Sequence, residues 1–568
     1  MNFKKLLSLL LALAMVLAMT PVFAEQAPEA DWDGATYAAH ADIRYELAGD
    51  YTGKTVILHS NDVHGQIDGY AYIAGLRDWF VGKGADVILT DSGDFSQGSI
   101  YVSSTKGAAA IEMMNAAQYD IVTLGNHEFD FGYDQLMENL KSATFTTLCS
   151  NVTLDETGET ILPLSTTLVR GDSGLKIGFV GIETPETVTK VNPGLISMIT
   201  FSAFDDLYKS TQEAIDSVRS DADLVIGLFH LGVDEESKAN AYRSLDVLDK
   251  VTGIDFVLDG HSHTVMTEGQ QGQPVQCTGT KFANIGVVVI DNETKAIESH
   301  FLVPTFLGSQ LFGFNLVNQD VLAKAQEIMA KVDEEYSAVF ATSEVLLNGE
   351  RAPGNRTEET NLGDLITDAM VWSVVKDGGI EQVEPNAVVG ITNGGGIRAT
   401  IEAGEVSKKD INTVLPFGNT VSVVYVTGTE LLEALEASTF CTPEAIGGYP
   451  QTSGIQWTLD TTKAYDQGNV YVLNGKESSY FAPASINRVT ITAINGEPFD
   501  PAATYAVVTN NFCAAGGDTY NVFGRSTSYF DTGIPMDEAV MAYVEQVLSG
   551  VITEATYGQP RGSETQIK

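Results

Sequence analysis

Asp120-Ile121-Val122-Thr123-Leu124-Gly125-Asn126-His127-Glu128-Phe129-Asp130 decides how the rest of the chain is read. The first five residues form a short apolar run of the kind that becomes a buried strand. The next six put an amide, an imidazole and two carboxylates directly after it. Four other stretches repeat this arrangement. Asn61-Asp62-Val63-His64-Gly65 follows Val56-Ile57-Leu58-His59, and Ser92-Gly93-Asp94 follows Asp86-Val87-Ile88-Leu89-Thr90. Phe229-His230-Leu231-Gly232 ends the run at 224–229, and Gly260-His261-Ser262-His263 comes just after the run at 254–258. A further strand-like run at 175–182 and helix-like segments at 107–118 and 237–250 complete an α/β pattern. Open α/β sheets place their ligands in the crevice beyond the strand ends, so motifs far apart in sequence can meet there.

Five of the eight histidines fall in this series. Aspartate, asparagine and imidazole offer oxygen and nitrogen ligands suited to divalent ions such as Mn²⁺, Zn²⁺, Co²⁺ or Mg²⁺. There are more candidates than one ion needs, and a shared aspartate can bridge two. Two metals roughly 4 Å apart form the usual clamp for in-line displacement at phosphorus. Asp62 and His64, two apart after a strand, can turn toward one ion with Gly65 bending the chain away. Alone, Asp94 reads equally as a turn-capping residue and His230 as a core histidine. Asn126 offers a neutral carbonyl oxygen. His127 points elsewhere and is a candidate general acid or transition-state stabiliser, with Asp130 in reach to fix its tautomer. The closely spaced pair His261 and His263 is the least expected from structural roles alone.

A chain of 568 residues exceeds one hydrophobic core, so two or more domains are expected. The formal net charge of −43 argues against a nucleic-acid polymer as partner, since a polyanion would be repelled without a basic groove. Lys4 and Lys5 precede an apolar run from Leu6 to Met19, then Thr20-Pro21-Val22-Phe23-Ala24. This reads as a secretory signal peptide over 1–24, with cleavage near Ala24 and an exported, extracellular or periplasmic product. The run is short for a bilayer span of roughly 20 residues, so no stable membrane anchor is expected. Residues 25–52 read as a polar leader. Cys149, Cys277, Cys441 and Cys513 are too sparse for a disulfide framework. Buried thiols are expected, with a Cys441–Cys513 bridge as the alternative.

A charged helical stretch at 318–337 looks like a connector to a second α/β region. That region holds a helix at 362–375 and strands at 387–392, 421–426 and 505–509.

The ordered motifs resemble those of the calcineurin-like metallophosphoesterases, and Ser60-Asn61-Asp62-Val63-His64-Gly65 and Gly125-Asn126-His127-Glu128-Phe129-Asp130 resemble the 5′-nucleotidase family within it. That resemblance implies one metal held by Asp62, His64, Asp94 and His263, and another by Asp94, Asn126, His230 and His261. It implies a catalytic dyad of His127 and Asp130. In the second region, Thr392-Asn393-Gly394-Gly395-Gly396-Ile397-Arg398 resembles the family's substrate loop, which makes Asn393, Gly395 and Arg398 candidate substrate contacts. Independently of the family, glycines there let backbone N–H groups approach a ligand. Phe417 and Phe512 correspond to two aromatics that sandwich a nucleobase, Asp518 to a sugar contact, and Arg356 to a family arginine.

The implied fold is an N-terminal metallophosphoesterase β-sandwich flanked by helices (53–315), a connector helix (316–342) and a C-terminal α/β nucleotide-binding domain (343–568). The implied function is a secreted dimetal hydrolase removing phosphate from nucleoside monophosphates. Alternatives on the same scaffold are a 2′,3′-cyclic-nucleotide phosphodiesterase with 3′-nucleotidase activity, or a UDP-sugar hydrolase. A non-catalytic, secreted nucleotide-binding protein is the alternative of another class.

Overall fold

The computed structural model describes residues 41–568, apart from 172–173, 192, 239, 306–315, 377–379, 381 and 474. The signal-peptide reading of 1–24 lies outside the described residues. Within the predicted leader, 41–48 is not irregular. Ala41–Ala48 is a helix that buries Leu47, and the nearby Tyr51 meets Phe80 edge-on at 4.7 Å. These contacts anchor the segment to the first domain, a tertiary effect that leaves no periodicity in so short a stretch.

The first domain is built on two six-stranded sheets. One holds β1 (Lys54–Ser60), β2 (Asp86–Asp91), β3 (Ile121–Thr123) and β4 (Thr146–Leu148). The other holds β5 (Ser165–Arg170), β6 (Leu175–Glu183), β7 (Leu224–His230), β8 (Phe256–Asp259), β9 (Val265–Met266) and β10 (Val275–Thr278). Strands β11 (Asn284–Asp291) and β12 (Ala296–Pro304) return to the first sheet, giving the orders β12-β11-β1-β2-β3-β4 and β9-β10-β8-β7-β6-β5. Strands β1 to β4 are parallel, as are β6, β7, β8 and β10.

Alternation along β1 shows why both sheets read as continuous apolar runs. Ile57 points into a layer shared with its neighbour Ile88 and with Phe179 and Leu228 of the facing sheet. Val56 and Leu58 point the other way, under helices Tyr70–Gly82 and Ala108–Ala117. Both faces are buried, so no polar alternation appears. Helix Asp205–Arg219 covers the outer face of the second sheet. The helix expected at 237–250 is instead two short pieces, Glu235–Lys238 and Ser244–Leu248, separated by Ala241 at φ 58°.

The predicted connector is the helix Gln319–Tyr336, capped by the Asn318 side chain on the N–H groups of Asp320 and Val321. It does more than connect. Val321, Ala325 and Ile328 enter the core beneath helices Tyr70–Gly82 and Ala108–Ala117, which ties the connector to the first domain.

Beyond it, a five-stranded sheet runs in the order Pro450–Ser453, Val388–Asn393, Thr504–Asn510, Thr420–Thr427, Tyr529–Pro535. Helices Asn361–Val375 and Met536–Gln546 pack on one face, and Gly428–Ser438 on the other. No disulfide forms among the described residues. Cys513 Sγ lies against Asn393 Oδ1 at 3.5 Å, while Cys441 Sγ is directed at the Glu444 carbonyl. The Cys441–Cys513 alternative is therefore not realised, because the two thiols serve different surroundings.

Candidate metal centre and substrate cavity

The loops after β1, β2, β3, β7 and β8 converge as predicted. Asp62, His64 and His263 have ligand atoms within 4.8 Å of one another, as do Asp94, His230 and His261. Asp94 stands between the two groups. Its Oδ2 lies 3.2 Å from His230 Nε2 and 3.7 Å from His64 Nε2, and Oδ1 accepts the His127 N–H at 2.9 Å. Asn126 Oδ1 is 2.9 Å from His261 Nδ1.

Five of these seven residues have positive φ: Asp62 (51°), His64 (45°), Asp94 (64°), His261 (79°) and His263 (56°). Left-handed backbone is unusual for non-glycine residues and concentrates at functional sites. Crowding between loops explains the glycines beside them. A Cβ on Gly125 would fall 2.4 Å from Asp94 Oδ1 and 2.7 Å from His230 Cε1. Glu128, whose role the sequence did not disclose, holds the loops in place. Its buried carboxylate accepts the N–H groups of Asp94, Phe95, Ser96 and Gly125 at 2.6–2.9 Å.

The donor set fits divalent ions. His64 Nε2 and His263 Nε2 face each other at 2.9 Å. Burial holds both imidazoles well below the ordinary histidine range, so each offers a neutral lone pair. His230 donates Nδ1–H to the Ser92 carbonyl at 2.6 Å, which directs Nε2 toward Asp94 Oδ2 at 3.2 Å, where it makes no well-aligned hydrogen bond among the described residues. Converging lone pairs and carboxylates in a buried site call for cations.

His127 differs from these ligands. Its Nδ1 is 2.7 Å from Asp130 Oδ2, which fixes the ring as expected. Burial favours the neutral ring, but Asp130 and Asp94 outweigh it and raise His127 above the ordinary value. His64, Asp94 and His127 also have ligand atoms within 4.8 Å of one another, and the contact to Asp130 engages Nδ1 of His127.

A cavity of about 280 Å³ opens over this cluster between the domains. Its lining includes Asp94, Asn126, His127, Asp130, His261 and His263 from one side. From the other come all seven predicted substrate residues: Arg356, Asn393, Gly395, Arg398, Phe417, Phe512 and Asp518. The Phe417 ring sits 5.5 Å from that of His127, with the Arg398 guanidinium 5.6 Å from its centre. Phe512 is only 8 % exposed and belongs largely to the core. Asp518 accepts from Asn393 Nδ2 at 2.8 Å and lies 3.7 Å from Lys190 Nζ of the first domain.

One expectation needs correction. The N–H groups of Gly394 and Gly395 do not face the cavity; they donate to the carbonyls of Tyr449 and Gly447, both at 2.7 Å. The glycines are required because the loop presses on its neighbour: a Cβ on Gly394 would sit 1.8 Å from the Asn355 carbonyl oxygen. Arg351 and Lys190 also line the cavity and were not singled out. The only signal for Arg351 was its place five residues before Arg356 in a chain poor in cations.

Residues 55–265 match the family model for the calcineurin-like phosphoesterases, and residues 339–525 match that for the 5′-nucleotidase C-terminal domain. The chain belongs to the 5′-nucleotidase family. As a member it is a metal-dependent phosphoric ester hydrolase with a dimetal centre in the first domain. It is 27 % identical to the snake venom 5′-nucleotidase of Crotalus adamanteus over 84 % of each chain. It is also 27 % identical to the trifunctional nucleotide phosphoesterase protein YfkN of Bacillus subtilis (strain 168), covering 84 % of this chain but 33 % of that longer protein. The crystal structure of a 5′-nucleotidase precursor from Thermus thermophilus superposes with a TM-score of 0.71 at 25 % identity, covering 91 % of this family member and 99 % of that chain. No helix among the described residues is long and apolar enough to cross a membrane.

Proposed function

We propose that this hydrolase removes phosphate from nucleoside 5′-monophosphates, and that it does so after export. The observation that carries the reading is the shared cavity in which a dimetal cluster and an aromatic, cationic surface from the second domain face each other. Export rests on the signal-peptide pattern at 1–24. The division is residues 53–315 for the catalytic domain, 316–342 for the connector and 343–568 for the nucleotide-binding domain.

Asp62, His64, Asp94 and His263 would hold one ion, and Asp94, Asn126, His230 and His261 the other. When bound, two divalent ions supply Lewis acidity toward the phosphoryl group and make water acidic enough to act as nucleophile near neutral pH. The protein's residues do the rest. His127, whose proton affinity Asp130 raises, donates from Nε2 to the phosphoryl oxygens or the leaving group. Arg398, with Arg351 and Arg356, brings positive charge to a cavity that must admit a dianion in a chain of net charge −43. Phe417 offers its face to the base, and Asp518, fixed by Asn393, accepts from sugar hydroxyls.

The test is phosphate release by the purified Mn²⁺-loaded protein from a panel of nucleoside 5′- and 3′-monophosphates, 2′,3′-cyclic nucleotides and UDP-sugars. The 5′-monophosphates should show the highest kcat/KM, and chelation by EDTA should abolish turnover until Mn²⁺, Co²⁺ or Zn²⁺ is restored. A clear preference for a cyclic or sugar nucleotide would overturn the substrate assignment. Full activity in chelator would overturn the use of metal.

A further inference from the structure

A buried carboxylate outside the motifs lies against one imidazole of the metal cluster. Glu186 is 1 % exposed, in the turn that follows β6. Its Oε2 is 2.9 Å from His261 Nε2, and its Oε1 has no hydrogen-bond partner among the described residues. The other ring nitrogen of His261, Nδ1, faces Asn126. We infer that Glu186 is a positioning residue for His261, accepting its Nε2–H and so directing the Nδ1 lone pair at the metal. The inference rests on the reading of His261 as a ligand.

The physical argument concerns tautomers. A neutral imidazole has one N–H, and a fixed acceptor at one nitrogen leaves the lone pair on the other. His230 obtains the same service from the Ser92 carbonyl. Glu186 differs in offering a side-chain carboxyl group, a common acceptor behind metal-ligating imidazoles, in place of a backbone carbonyl. His64, in the opposite cluster, has no such support, since its Nδ1 is buried without a partner among the described residues. The two ion sites are thus unequally buttressed, and the one containing His261 has both imidazoles held from behind.

Glu186 is itself well placed. Its backbone carbonyl accepts the N–H groups of Thr189 and Lys190 at 2.8 and 3.0 Å. Two residues of the second domain grip the same turn: Asp518 donates its N–H to the Thr189 carbonyl, and Ser479 Oγ approaches the Pro185 carbonyl at 3.5 Å. The carboxylate therefore sits on a turn that spans from metal cluster to sugar-facing residues.

The experiment is calorimetric titration of the metal-free full-length chain with Mn²⁺ alone, alongside metal content after dialysis. The wild-type chain should bind two ions. Glu186→Ala, and Glu186→Met, which keeps the volume but removes the acceptor, should each weaken one of the two by roughly 10–100-fold and spare the other. Glu186→Gln keeps an acceptor oxygen and should recover most of that loss. Two wild-type affinities in the Met variant would overturn the inference, as would simultaneous loss of both ions. So would a Gln variant as weak as Met, since an acceptor oxygen at this position would then not be what holds the His261 ring. His261→Ala is the separate control: if it still binds two ions, the ligand reading itself fails, whatever Glu186 does.

Discussion

At His127, catalysis is proposed to separate from metal binding at the level of one side chain. With Nδ1 engaged by Asp130, Nε2 is the nitrogen proposed to donate the proton. His127→Ala should lower kcat by roughly 10²–10⁴-fold while metal content stays at two ions. Metal analysis showing loss of an ion would make His127 a ligand. The charge on His127 can be tested by pH. Asp130 raises its pKa, so removing that carboxylate lowers it, and the protonated form is then lost at lower pH. The alkaline limb of kcat should accordingly move to lower pH in Asp130→Asn; an unmoved limb would mean that another group sets it. Asp94 stands between the two groups and is the proposed ligand to both ions, so Asp94→Ala should release both, in contrast to a change at His263. Most of this was legible because ligand chemistry is local: D-x-H, N-H-E and H-x-H each place usable atoms within a few residues. Glu128 and Glu186 were not legible. The first acts by receiving N–H groups from two loops, and the second by reaching an imidazole 75 residues away, and only the fold supplies those meetings.

At the level of elements, the two aromatic positions that looked alike in sequence have different settings. Phe417 lies on the loop before strand Thr420–Thr427, half-buried and facing His127 and Arg398. Phe512 lies in the short helix Asn511–Ala514, and a Cβ on Gly517 would fall 2.2 Å from its ring. Phe417→Ala should cost nucleotide substrates about 1–3 kcal/mol in kcat/KM. It should spare p-nitrophenyl phosphate and leave the Tm unchanged. Phe512→Ala should weaken nucleotides as well, but it also empties core volume and should lower stability by about 3 kcal/mol or more. Equal losses on every substrate for Phe417→Ala would remove it from base recognition. The strands were legible wherever an apolar run was bounded by turn residues, and the helix at Asn361–Val375 was found within a residue. The glycine loop was misread for a physical reason. Sequence shows that Gly394 and Gly395 permit close approach, but not whether backbone or ligand does the approaching.

At the level of the whole molecule, charged side chains cross from one domain to the other around the cavity. Lys409 of the second domain reaches Asp333 at 2.8 Å and Tyr101, and Lys476 reaches Asp155 at 3.1 Å and the carbonyls of Ser197 and Ile199. Arg351 approaches Asp234 at 3.8 Å. None of this was legible, because pairing across domains depends on their relative placement and not on any local pattern. The effect matters because 75 acidic residues against 32 basic ones make the two domains repel each other. Exposed pairs contribute roughly 0.2–1 kcal/mol each, little for stability but enough to bias a domain equilibrium. If nucleotide binds the closed form, lowering its population raises the apparent dissociation constant by the same factor. The double variant Lys409→Met/Lys476→Met keeps the apolar stems and removes both cations. At fixed ionic strength it should raise KM for a nucleoside monophosphate by a few-fold, enlarge the radius of gyration in small-angle scattering, and leave metal content untouched. Added salt should mimic this only weakly, since it screens the repulsion between domains together with the attraction of the pairs. An unchanged KM together with an unchanged radius would show that apolar contacts, not these cations, keep the domains together.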